Sequence, residues 1–245
     1  MDTDSLWGAD VAAAYDTPGT GMFAPEVVGP AVDRLHALAD GGPALELAIG
    51  TGRIAVPLAE RGMRVTGIEL SLPMIDQLRT KVDEAALPVV VGDMARVRAP
   101  GQFSLVYLVF NTISNLLAQA DQVECFRNAA RHLVPGGRFV IELWVPELRA
   151  LPPGRDATVW RCDDGYIGLD TYDVLNQQVV SHHVRFGAGP EATVGRSPHR
   201  YIWPAELDLM GQLAGFELES READWAGSPF TADSSSHVSV YRLTP

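Results

Sequence analysis

Cysteine is scarce in this chain: there are two, Cys125 and Cys162, among 245 residues. They have no paired spacing and no histidine cluster beside them, so neither a disulfide framework nor a metal site is expected, and a reducing compartment suits them. Long apolar runs are also missing. The longest, around Phe103 to Phe110, falls far short of the roughly 20 residues that a membrane helix requires. Positive charge is in deficit, with 19 Lys and Arg against 31 Asp and Glu and a net charge of -12. Binding to nucleic acid rests on neutralising phosphates with basic side chains, which argues against DNA or RNA as a partner. The opening residues Met1-Asp2-Thr3-Asp4 are acidic and carry no apolar core, so no secretory signal is visible and a cytoplasmic location is expected. There is no internal repeat, and Ser234-Ser235-Ser236 is too short to count as low complexity.

What the chain does have is a hydrophobic share of 47%, enough at this length for one substantial core. Residues 1–43 read as a helical preface, with Val27, Val28, Val32, Leu35 and Leu38 at helical spacing after the break Pro18-Gly19-Thr20-Gly21. Over residues 44–144, strand-like runs cover Ala44 to Ile49, Arg64 to Glu69, Pro88 to Val91, Phe103 to Phe110 and Arg138 to Trp144. Helical patterns open near Arg53, Ser71 and Gln119, with Ser71 suited to an N-cap and Pro73 to a first turn. Each parallel crossover needs a helix, so the alternation predicts a doubly wound parallel sheet.

The rhythm changes after Trp144, where Pro146, Pro152, Pro153 and Gly154 mark a break. Residues 145–203 read as an inserted antiparallel lobe with strands over Thr158 to Cys162, Tyr166 to Val174, Val179 to Phe186 and His199 to Trp203. Leu175-Asn176-Gln177-Gln178 is its hairpin connection. Residues 204–245 return to the core through a helix at Pro204 to Leu213 and an antiparallel pair, Phe216 to Asp224 with His237 to Leu243. Exposed edge strands in such a lobe leave room for pairing with a second copy as a homodimer.

The most informative stretch is Ala44-Leu45-Glu46-Leu47-Ala48-Ile49-Gly50-Thr51-Gly52-Arg53. Gly50 and Gly52 let the backbone turn sharply after a buried strand and leave no Cβ between the main chain and a ligand. Glu69, ending the next strand, is placed to accept hydrogen bonds from the two hydroxyls of a ribose. Gly50-x-Gly52-x-x-Ala55 also fits a dinucleotide fingerprint, but Glu46 would repel a pyrophosphate at the loop and attract an ammonium. A cationic, phosphate-free cofactor is the better expectation. Gly50, Glu69, Asp93 and Phe110-Asn111 are all expected to converge beyond the carboxyl ends of the strands.

Glu46-Leu47-Ala48-Ile49-Gly50-Thr51-Gly52 resembles the first motif of the class I S-adenosylmethionine-dependent methyltransferases, with Ala48 where that family usually has its first glycine. Glu69 is similar to the acidic residue that holds the cofactor ribose, with Leu70 following it, and Val91-Gly92-Asp93-Met94 to the exit of the third strand. There the family's Asp approaches the adenine amino group and the next amide approaches the ring. Leu133-Val134-Pro135-Gly136-Gly137-Arg138-Phe139 resembles the turn before the fifth strand, and Tyr15 the tyrosine that many relatives set over the methionine end of the cofactor. The resemblance implies a Rossmann-like, seven-stranded, mostly parallel α/β sheet with the lobe roofing a small-molecule acceptor. It implies S-adenosyl-L-methionine as cofactor, contacted by Tyr15, Glu46, Ala48, Gly50, Gly52, Glu69, Leu70, Asp93, Met94 and Phe110. Arg53 is read as facing solvent or playing a minor part.

The acceptor side is less sharply marked. Phe110-Asn111-Thr112-Ile113 lacks the Asn-Pro-Pro-Tyr signature of amide-methylating relatives and looks more like methyltransferases of amino sugars and secondary metabolites. Asn111, Asn115, Trp144, Tyr172 and Arg200 are the expected acceptor contacts. A base, where one is needed, is sought among His182, His183, His199, His237, Tyr107, Tyr172 and Tyr201. The densest polar cluster, His199-Arg200-Tyr201, makes His199 and Tyr201 the first candidates. The function expected is methyl transfer to O, N or C of a small natural-product-like acceptor. The alternatives are a protein using the same cavity for a non-methylating reaction or binding task, and an NAD-dependent oxidoreductase.

Overall fold

The computed structural model describes residues 7–187, 189 and 191–244, so Met1-Asp2-Thr3-Asp4 lie outside the described residues. A seven-stranded sheet is built from β1 (Ala44–Leu47), β2 (Val65–Glu69), β3 (Val89–Val91), β4 (Phe103–Leu108), β5 (Leu133–Trp144), β10 (Phe216–Glu222) and β11 (Ser236–Leu243). Its spatial order is β3-β2-β1-β4-β5-β11-β10. The first five of these are mutually parallel, whereas β11 runs antiparallel to both β5 and β10. Chain order reverses at β1, which has β2 on one side and β4 on the other, and a crevice opens beyond that point in sheets of this kind.

Helices cover both faces, which is why β1 buries every residue. Leu45 and Leu47 join one core cluster with Phe139, Ile141 and Tyr241, which includes Phe126 of α5 (Gln119–His132). Ala44 joins the other, with Leu35, Tyr107, Val140 and Val240, beneath α2 (Pro25–Ala39). Strand residues alternate faces, so Glu46 points to the α2 side with Ala44. The remaining core helices are α1 (Ala9–Tyr15), α3 (Ala55–Glu60) and α4 (Leu72–Arg79). Ser71 caps α4 by accepting from the Met74 N–H at 3.3 Å, with a proline in the first turn.

Two elements differ from the sequence reading. Leu133 to Gly137, expected as a turn, is the bulged opening of β5: Phe103 pairs with Leu133, but Leu105 pairs with Arg138. The second correction concerns the last strand of the lobe. The lobe is a separate sheet of β6 (Ala157–Asp163), β7 (Tyr166–Asp173), β8 (Gln178–Phe186) and β9 (Ala192–Arg200), in that order. Tyr201, Ile202 and Trp203, read as strand, instead lead into α6 (Pro204–Leu213), with the Tyr201 N–H donating to Gln177 O at 3.0 Å. A residue before proline is pushed to extended backbone, and Trp203 has ψ 146. Among the described residues, no helix is long and apolar enough to cross a membrane, and no group of three or more His, Cys, Asp or Glu could hold a metal ion.

Candidate active site

The loop after β1 is held in left-handed backbone. Ala48, Gly50 and Gly52 have φ of 53, 56 and 82. For an alanine that conformation costs roughly 1–2 kcal/mol, which Ala48 bears without glycine's freedom. The two glycines serve different ends. A Cβ on Gly50 would meet nothing within 4 Å, whereas one on Gly52 would lie 2.4 Å from Leu78 Cδ1 and 2.8 Å from Val56 Cγ2. Gly50 therefore floors open space, and Gly52 lets the loop pack against α4 and α3.

Two carboxylates face this loop. Glu69 Oε2 accepts the Gly50 N–H at 2.8 Å, and Oε1 accepts those of Leu70 at 2.9 Å and Ser71 at 2.8 Å. A carboxylate has about four acceptor positions, so one remains open on Oε2. Burial raises the Glu69 pKa against these three backbone bonds. Glu46 is 2% exposed and accepts the Tyr107 hydroxyl at 2.9 Å. Burial pushes its pKa up to about 8, against the Tyr107 hydrogen bond and the Arg53 charge, while the nearby Glu69 charge adds to the rise. Tyr107, a candidate base by sequence, is thus a buried partner of Glu46, and burial raises its own pKa well above the usual value.

Past β3, Asp93 Oδ1 accepts the Ala95 N–H at 2.8 Å and its other oxygen pairs with Arg96 at 3.3 Å. Met94 is 8% exposed and belongs to the core, whereas Leu70 is exposed. The chain's N-terminal part packs at the end of β2, where the Ser71 hydroxyl donates to Trp7 O at 2.7 Å. Tyr15 packs edge-on against Trp7 and Phe23, with ring centroids 5.8 and 6.0 Å away. Asp16, unremarked by sequence, accepts the Thr51 hydroxyl at 2.6 Å and pairs with Lys81, whose ammonium also donates to Thr51 O at 2.7 Å. Burial raises the Tyr15 pKa; Arg53 opposes this, while Glu69, Asp16 and Glu46 add to it, so all four charges act at its hydroxyl. Arg53 corrects the solvent reading: it donates to Met22 O at 3.1 Å and lies over the Phe110 ring at 5.1 Å.

On the far side of β4, Phe110 and Asn111 are consecutive non-glycine residues with φ of 54 and 63. The Phe110 N–H donates to Glu142 Oε2 at 2.7 Å, and Asn111 Oδ1 accepts the Trp144 N–H at 2.7 Å. Glu142, which sequence reading missed, carries its only signal in the run Phe139-Val140-Ile141-Glu142-Leu143-Trp144, a lone charge within an apolar strand. Asn115 ends the short 3-10 turn Thr112–Asn115 and is half-buried.

The lobe brings His199 to this end of β5, its ring 5.7 Å from Trp144 and edge-on. Its Nδ1 is buried without a partner among the described residues. Burial lowers the His199 pKa, with Asp170 opposing, so the ring is neutral near pH 7. Tyr201 is 1% exposed and packs between Tyr172 and Trp203. Arg200 is not free to meet an acceptor: its guanidinium donates to Gln122 at 2.6 Å, Gln177 at 3.2 Å and Glu206 at 2.7 Å. His182 and His183 point to opposite faces, toward Thr171 and Tyr166, and His237 is buried beside Ser239, its pKa lowered by burial to about 4.

A family model for a methyltransferase domain matches residues 44–137. Over 245 residues the chain is 30% identical to the cypemycin N-terminal methyltransferase of a Streptomyces species, covering 96% of each protein. It is 34% identical to the putative methyltransferase YqeM of Bacillus subtilis over 209 residues, covering 80% of this chain and 82% of that one. Among solved structures, the CcbJ methyltransferase from Streptomyces caelestis superposes with a TM-score of 0.85 at 36% identity, covering 98% of both chains.

Proposed function

We propose that this chain, which belongs to the class I S-adenosylmethionine-dependent methyltransferases of natural-product type, methylates an amine nitrogen of a small acceptor. The observation that carries the cofactor half is Glu46, a sealed carboxylate with a pKa raised to about 8 beside a glycine-floored loop. Such a group gains most from a bound ammonium, which the amino-acid end of S-adenosylmethionine supplies. A pyrophosphate there offers no such gain and would be repelled wherever Glu46 is ionised, which disfavours the nicotinamide reading. The residues fit the cofactor in further ways: Gly50 leaves open space, Glu69 keeps an acceptor position for a ribose hydroxyl, and Tyr15 with Trp7 covers the crevice.

When bound, the cofactor supplies a methyl group on a positively charged sulfur, already a strong electrophile. The protein's work is to align the acceptor and exclude water. We assign Asp93 and the Met94 amide to the adenine, Leu70 to its flank, and Ala48 and Gly52 to shaping the loop. Arg53 and Phe110 border the reacting end. Asn111, Asn115, Trp144 and Tyr172 line the acceptor side. With the cofactor bound, these residues would hold the acceptor with an uncharged nitrogen facing the methyl group, an ammonium having first given up a proton. His199, neutral and with an unpartnered Nδ1, takes the proton the nitrogen sheds. Tyr201 and Arg200 are positioning residues, one sealed in aromatic packing and the other bound into the α5 and α6 contacts.

Nitrogen is favoured over oxygen or carbon by the cypemycin relative, whose name states N-terminal methylation, at full-length similarity. The test is calorimetry with S-adenosylhomocysteine, followed by mass spectrometry of matched amine and alcohol acceptors. Binding with methylation of amines alone is expected. No heat on titration would overturn the cofactor assignment, and methylation confined to the alcohols would overturn the choice of nitrogen.

A further inference from the structure

Near the carboxyl end of β5 lies a cavity of about 330 Å³, walled by Glu26, Val27 and Pro30 of α2, by Glu142 of β5 and by Trp225 and Val238. Its size is that of a site for one small ring or sugar. No lysine or arginine lines it. Asp224, also at its wall, has its carboxylate occupied by the N–H groups of Ala226 at 2.9 Å and Ser228 at 3.1 Å. Glu26 is exposed to solvent in the first turn of α2, whereas Glu142 is half-buried. Its Oε2 holds the Phe110 N–H at 2.7 Å, while Oε1 has no hydrogen-bond partner among the described residues. Glu142 shares its face of β5 with Trp144, two residues on, the ring that meets His199. Through Phe110 the same side chain reaches the residue beneath Arg53 at the edge of the cofactor crevice. Glu142 thus both borders the cavity and fixes the Phe110 turn, with one oxygen left for a ligand.

We infer that this cavity admits the acceptor and that Glu142 is a specificity-determining residue in it, holding a cationic amine with Oε1 while Oε2 keeps Phe110 in place. The inference rests on the methyltransferase reading above and adds the chemistry of recognition. An ammonium set between Val27, Pro30 and Trp225 has strong reason to seek a carboxylate held by a backbone N–H, and an alcohol of the same shape has much less. The half-buried wall of Trp225 suits the hydrocarbon part of such a ligand.

The experiment uses the intact protein saturated with S-adenosylhomocysteine, so that Glu46 is already engaged, and titrates cyclohexylammonium against cyclohexanol by ligand-observed NMR. The ammonium is expected to bind at least about tenfold tighter, the order of one charge-assisted hydrogen bond. Glu142→Gln should erase that preference, because the amide oxygen can still accept from Phe110 but the charge is gone. A second variant, Val27→Lys, brings a cation to the cavity mouth at a position 41% exposed, leaves Glu142 and Phe110 untouched, and should also erase the preference. Equal binding of the two probes to the unaltered protein, or a preference that survives either substitution, would overturn the inference. Failure of the unaltered protein to bind S-adenosylhomocysteine would remove the methyltransferase reading and this inference with it. Binding of S-adenosylhomocysteine without an ammonium preference would remove this inference alone.

Discussion

Gly50 and Gly52 belong to one loop and share left-handed φ, yet a methyl group on each would meet different surroundings. Gly50→Ala adds backbone strain that stiffening of the unfolded chain partly offsets, so stability should fall by only about 1 kcal/mol in urea unfolding. Its new Cβ projects into the open floor, and S-adenosylhomocysteine affinity should drop by more than about tenfold in calorimetry. Gly52→Ala should behave oppositely. Leu78 Cδ1, 2.4 Å from the new Cβ, adds an overpacking cost of about 1–3 kcal/mol, while the folded fraction keeps most of its affinity. Glu46 makes a second residue-scale prediction, because its folded pKa of about 8 lies above the ordinary 4.5. Between those values the folded state holds a proton that the unfolded state has released, so this group's stabilisation is complete below 4.5 and is lost as pH rises toward 8. A bound ammonium reverses the preference and expels the proton. S-adenosylhomocysteine should therefore bind more tightly as pH rises from about 6 to 8, with proton release measurable in buffers of different ionisation enthalpy. Glu46→Gln should abolish the release.

Elements are joined to this site by a few polar ties that hydrophobic patterning does not display. Helix α1 is latched through Asp16 to Thr51 and to Lys81, the single lysine of the chain. The pair is partly exposed, so Lys81→Met should cost about 1 kcal/mol or less in global stability. It should nonetheless speed amide exchange across Ala9–Tyr15 and weaken S-adenosylhomocysteine binding, because that helix ends on Tyr15, which lies among the charges of Arg53, Glu69 and Glu46. The lobe's last strand is tied differently, by Arg200 at 5% exposure bonded to α5 and α6. Arg200→Met leaves Glu206 without its cation and should lower stability by about 3 kcal/mol in urea unfolding, with cofactor affinity of the folded fraction nearly unchanged. These ties explain what sequence could and could not show. Core strands were legible because both of their faces are buried and they read as continuous apolar runs. Strand β9 was not: apart from Val194, Ala192 to Ser197 are small, polar or charged and largely exposed, so no alternation marks them. Likewise Pro135-Gly136-Gly137 has the chemistry of a turn, and only pairing with β4 makes it the bulged start of β5.

At the scale of the whole molecule, the family was readable because its motifs are concentrated in short contiguous runs at the ends of β1, β2 and β3. The proposed acceptor cavity draws on α2, β5 and the β10–β11 connection, so no local spacing marks Glu142, and the side chains of α5 and α6 that occupy Arg200 lie far from it in sequence. The molecule's charge bears on the same side. A net charge of -12 sets up a negative field, and a concave, low-dielectric site focuses it. An amine acceptor that arrives protonated is drawn toward such a site, whereas a neutral acceptor of the same shape is not. Attraction of this kind acts mainly on encounter and is screened within about 10 Å at 0.1 M salt. For an amine acceptor, kcat/KM should therefore fall several-fold as salt is raised from about 0.02 to 0.5 M, with kcat little changed. The alcohol of matching shape should show no such slope in its binding. A salt-independent kcat/KM for the amine would mean that the field of the molecule plays no part in capture, and that whatever selects the acceptor acts only after contact.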